Sequence, residues 1–105
     1  MNLIDLIEPE VSPTMTIRQR FEAFHEANPQ VYRELVHMTY QLKQHGRTRI
    51  GIKTLFETLR WRYWVETTSI DDFHLNNNFS AHYARLIMEQ NEWAKGMFQL
   101  RKVRS

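Results

Sequence analysis

An all-α fold, a compact bundle of about five helices, is what this sequence predicts, and three observations carry it. Apolar residues recur with a 3.6-residue period in successive segments, and helix-starting and helix-ending residues fall between those segments. A chain of 105 residues with 42% apolar content also suits a single core. Part of the bundle reads as helix-turn-helix-like, and one stretch has a short β-ribbon as its alternative. The expected organisation is an acidic N-terminal arm over residues 1–15, then one helical domain over residues 16–105.

Each element has its own warrant. Ser12-Pro13-Thr14 marks a turn, after which Thr16 caps a first helix with Ile17, Phe21 and Phe24 at i, i+4 and i+7. Asn28-Pro29 ends it and starts the second, Asn28 serving as N-cap and Pro29 occupying the first helical position, where its missing N–H costs nothing. Val31, Leu35, Met38 and Leu42 form the second stripe, and Gly46 ends it in a left-handed C-cap. From Gly51 a third helix places Ile52, Leu55, Phe56, Leu59 and Tyr63 on one side. Trp61 points almost opposite, flanked by Trp64 and Val65, so this helix is apolar on two faces near its end. Packing between neighbours is the expected explanation, with an exposed Trp-Arg contact surface as the other. Tyr63 to Thr68 also suits an extended ribbon paired with Phe73 to Leu75.

Asp71-Asp72 and Asn76-Asn77-Asn78 bound a polar connection. Asn77 or Asn78 is then expected to cap a fourth helix whose Phe79, Tyr83, Leu86 and Ile87 fall on one face. Asn91 caps a last helix carrying Trp93, Met97, Phe98 and Leu100, with Gly96 inside it allowing a close helix crossing.

Charge is distributed unevenly. The formal net charge is only +2, yet residues 1–15 carry three acids and no bases, while residues 43–62 carry six bases against Glu57 alone. Arg101, Lys102 and Arg104 add positive charge at the end of the sequence. The absence of cysteine removes disulfides and thiolate metal sites, which suits a reducing cytoplasm. No signal peptide is expected, because Asp5, Glu8 and Glu10 break the N-terminal apolar run, and no stretch is long enough for a membrane span.

Catalytic motifs are missing: no phosphate-binding loop, no dinucleotide glycine pattern, no nucleophile elbow and no HExxH. His25, His37, His45, His74 and His82 are scattered over different elements, and Asp71-Asp72 lacks further oxygen ligands in the pattern. The expectation is therefore a binding module, not an enzyme, with no metal and no cofactor.

The pieces FEAFHEANPQVYREL, GRTRIGIKTLFETLRW, LNNNFSAHYARLIME and MFQLR resemble a family of small helical proteins encoded by bacteriophages and prophages. That resemblance implies a bacterial cytoplasm and an accessory gene. It transfers no function residue by residue.

Two function classes fit. In the first, the protein binds DNA through a basic, helix-turn-helix-like surface. The third helix leads, and the fourth presents Asn78, Ser80, His82 and Arg85 to base edges. Arg47, Arg49, Lys53, Arg60, Arg62, Arg101, Lys102 and Arg104 then neutralise phosphates. The connection between those two helices is longer than a helix-turn-helix usually allows. In the second class the partner is a host or phage protein, with Trp61 and Trp64 as interface anchors. There the arm, with Leu3, Ile4, Leu6 and Ile7, docks elsewhere or crosses to another subunit, which makes a homodimer one expectation.

Overall fold

The computed structural model describes residues 6–66 and 75–100. Among these described residues are four α-helices: α1 (Ile17–Ala27), α2 (Pro29–Gln44), α3 (Ile52–Glu66) and α4 (Ser80–Gln90). Two single 3₁₀ turns, Asn77–Phe79 and Glu92–Ala94, flank α4. α3 and α2 pack on α4, and α1 packs on α2 and on the first 3₁₀ turn.

α1 starts at a complete capping box: the Thr16 hydroxyl accepts from the Gln19 N–H, and the Gln19 side chain accepts from the Thr16 N–H at 2.8 Å. Phe21 and Phe24 are buried as their spacing requires, whereas Ile17 in the first turn is exposed. Pro29 stands at the first turn of α2. Gly46 follows the helix with φ of 88°, the left-handed conformation that only glycine adopts without strain.

Asn28 departs from its expected role. Its side chain makes no capping bond to α2. Instead it is wholly buried, and its carboxamide accepts from the Ile7 N–H at 2.7 Å and donates to the Ile7 carbonyl at 2.8 Å. A further bond runs back to the Phe24 carbonyl. The segment that begins at Leu6 is thus tied to the domain, with Leu6 packed against the core.

The core is aromatic at its centre. Tyr83, fully buried on α4, meets Phe21 edge-to-face at 4.7 Å and Phe56 at 5.9 Å, while Phe79 meets Phe21 at 5.9 Å. Such pairs add roughly 0.5–1.5 kcal/mol each beyond the area they bury. Val31, Leu35, Leu55, Leu59, Ala84 and Ile87 fill the space between helices.

Three expectations are corrected. The fifth helix does not form: only Glu92–Ala94 turns, and Asn91 spends its side chain on the Ile87 carbonyl and the Tyr32 hydroxyl instead of capping. Gly96 lies outside any helix with φ of 80°, reversing the chain so that Met97 and Phe98 return to the core. There Ile50 N–H donates to the Met97 carbonyl at 2.8 Å, and Ile50 and Phe98 form an isolated parallel β-bridge. The fourth helix is also capped differently: Asn76 accepts from the Asn78 N–H and starts a 3₁₀ turn, and α4 proper begins at Ser80. As for the ribbon, residues 63–66 are helical, and residues 67–74 lie outside the described residues.

Candidate nucleic-acid interface

The bridge between Ile50 and Phe98 determines where positive charge accumulates. It lays residues 43–53 beside residues 91–98, and Lys43 ties the same two segments by donating to the Trp93 carbonyl with its ammonium 5.9 Å from the Trp93 ring centre. Together these segments hold Lys43, Arg47, Arg49, Lys53 and Lys95, with Glu92 as the one acid. Arg47, Arg49, Lys53 and Lys95 are exposed, and none makes an ion pair among the described residues. The local reason is the turn at Gly46 followed by Arg47-Thr48-Arg49, which lie outside any helix and are exposed. Lys95 joins this end only through the tertiary pairing. Sequence spacing gave no signal for Lys95.

The other expected contacts do not gather there. Arg60 on α3 donates to the Leu75 carbonyl at 2.8 Å and to the Asn77 side chain, so it holds the segment before α4. Arg62 pairs with Glu34 of α2, which is only 5% exposed, and with Glu66 at 3.6 Å. The hydrogen bond to Glu34 raises the Arg62 pKa, with burial opposing it. Ser80 is 8% exposed and faces the core, so it presents nothing to a base edge. Asn78 is exposed in the 3₁₀ turn before α4, next to Asn77, which receives Arg60. Arg101, Lys102 and Arg104 lie outside the described residues.

His82 and Arg85 belong to a third location. The His82 ring stacks on Phe21 at 5.2 Å, and His25 stacks on the same ring at 5.9 Å. Arg18, Glu22, Arg85 and Glu89 surround this stack. Burial lowers the pKa of both histidines, and Arg85 and Arg18 push His82 further down against the pull of Glu22. His82 is therefore a half-buried packing residue between α4 and α1.

Trp61 and Trp64 are 61% and 55% exposed, with Val65 beside them. The packed-helix expectation for the end of α3 is thus overturned. The buried face of the helix is the Leu55, Phe56 and Leu59 side, and α4 packs on α3.

Among the described residues, no three His, Asp or Glu side chains stand together as a metal site. None of the described helices is long and apolar enough to cross a membrane. Comparisons with protein-family models, curated proteins and solved structures give no match.

Proposed function

We propose that this chain binds DNA through the basic end built from residues 43–53 and 91–98. The supporting observation is the pairing of Ile50 with Met97 and Phe98, which sets exposed, uncompensated Arg47, Arg49 and Lys53 beside the segment carrying Lys95. Side chains of this type bind phosphates by charge and release counterions, so the affinity is salt-dependent and largely blind to sequence. Asn78 and Arg85 sit elsewhere, so α4 does not act here as a groove-reading helix. In a bacterial cell with phage genes, which the family resemblance implies, such a module suits an accessory DNA-binding role.

Fluorescence anisotropy with random duplex DNA at two salt concentrations tests this reading. Affinity is expected to drop steeply with salt, by roughly one logarithmic slope unit per phosphate contact. Changing Arg47, Arg49 and Lys53 together to Ala is expected to reduce that slope by up to about three and weaken binding at low salt, with the helical circular dichroism unchanged. Full affinity in the triple variant refutes the assignment.

A second reading has its own observation, the exposed Trp61, Trp64 and Val65 at the end of α3. Large apolar side chains grouped on a surface anchor protein contacts. In that case Trp61→Ala abolishes a protein complex and leaves DNA affinity intact.

A further inference from the structure

A cleft of about 650 Å³ opens between the N-terminal segment, α1, the end of α3 and residues 75–79, away from the basic end. Buried Phe24, Leu75 and Phe79 line it together with the indole of Trp64. Two arginines line it from different helices, Arg20 of α1 and Arg60 of α3. Unlike Arg18 and Arg62, which pair with carboxylates, neither Arg20 nor Arg60 makes an ion pair among the described residues.

The free polar atoms of this cleft are mostly donors. Arg20 Nε is buried without a hydrogen-bond partner. Arg60 has one amino nitrogen committed to Leu75 and Asn77, a contact that fixes the plane of the group. The Asn77 side-chain oxygen is used by Arg60 and that of Asn76 by the Asn78 N–H, which leaves both amide nitrogens as donors. Glu8 is the one carboxylate among the lining residues. A cleft with two guanidinium groups, surplus donors and aromatic walls complements an anion rich in acceptors and carrying a flat ring.

We propose that this cleft binds a nucleoside monophosphate unit, its phosphate held by Arg20 and Arg60 and its base against Trp64. Guanidinium forks match phosphate oxygens in pairs, and an indole accepts the π-face of any base. The unit comes either as a free nucleotide or as the phosphorylated end of a strand, and both present the same chemistry. The proposal goes beyond the basic-end reading and does not depend on it.

The test is a titration of the full chain followed by ¹⁵N-resolved NMR, reading Arg20 Nε and Trp64 Nε1. AMP is expected to give saturable shifts at both, about tenfold tighter than adenosine or inorganic phosphate alone. A 5′-phosphorylated dinucleotide binding more tightly than AMP identifies the strand end as the source, and equal or weaker binding identifies the free nucleotide. Arg20→Met is expected to weaken AMP about tenfold, with Arg20→Lys between the two. Trp64 is exposed, so Trp64→Ala leaves the fold intact and carries the test if the Arg20 variant unfolds. The Arg47, Arg49, Lys53 triple Ala variant is expected to keep its AMP affinity whether or not it loses duplex DNA, which separates this site from the basic end. No saturable shift with millimolar AMP or dinucleotide, or unchanged AMP affinity in both the Arg20→Met and Trp64→Ala variants, overturns the proposal.

Discussion

The carboxamide of Asn28 brackets the backbone of Ile7, taking its N–H at 2.7 Å and giving to its carbonyl at 2.8 Å, as a neighbouring β-strand would. One buried side chain thereby ties the N-terminal segment to the junction of α1 and α2. Asn28→Ala removes both bonds and the one to Phe24, leaving part-buried backbone groups without partners. The expected loss is about 2–3 kcal/mol of stability, with faster proteolysis within residues 6–15. Urea denaturation and timed digestion check it, and an unchanged midpoint contradicts the bracket's role.

Glu34 and Arg62 form the least exposed ion pair described, joining α2 to α3. Arg62→Ala leaves the Glu34 carboxylate in an apolar setting without its cation, at an expected cost of about 3 kcal/mol. Changing both residues to Met removes the charges together and is expected to cost less than the sum of the two single Met changes. A double-mutant cycle by urea denaturation measures the coupling, and strict additivity would show that the pair contributes nothing as a pair.

Stability is expected to fall in mild acid because of the His25–Phe21–His82 stack. Burial lowers both histidine pKa values below the ordinary 6.5, so near that pH the unfolded chain takes up protons that the folded chain refuses. The stabilising contribution is complete above about 6.5 and is lost as pH falls below it toward the folded-state values. Among the groups around the stack, Arg18 and Arg85 deepen the effect at His82 and Glu22 opposes it. Melting temperatures across this window should drop for the parent and flatten in the His25→Gln, His82→Gln double variant. A parent curve that rises on acidification is incompatible with buried neutral histidines.

Among the described residues Tyr83 is the largest fully buried side chain, and its hydroxyl has no hydrogen-bond partner there. Burial also pushes its pKa upward. Tyr83→Phe retains the ring contacts with Phe21 and Phe56 and removes an unsatisfied polar atom, so the variant is expected to gain up to about 1 kcal/mol. A loss of stability in thermal denaturation would mean that the hydroxyl has a partner in solution.

Most helix positions were legible because their causes are local. Thr16, Pro29 and Gly46 act within a turn or two, and the stripes Phe21–Phe24, Val31–Leu35–Met38 and Leu55–Phe56–Leu59 repeat at the helical period. The last segment misled for the same reason. Trp93, Met97 and Phe98 have helical spacing, yet Gly96 at positive φ and the bond from Ile50 to Met97 turn them into a return loop. In the candidate site, Arg47, Arg49 and Lys53 were legible as a cluster, being close in sequence with no acid among them.

Local patterns in the chain were thus enough for an all-α fold, the bounds of its main helices within a residue or two, and a basic stretch on the connection between α2 and α3. Which charges stay free depends on contacts between segments far apart in the chain. Arg62 is neutralised by a glutamate 28 positions away, Asn28 serves a segment 21 positions away, and Lys95 reaches the basic end through a bridge between Ile50 and Phe98. Periodicity and capping are fixed by neighbours within one turn, whereas ion pairing and exposure depend on which distant surfaces meet, and a local pattern carries no record of that meeting.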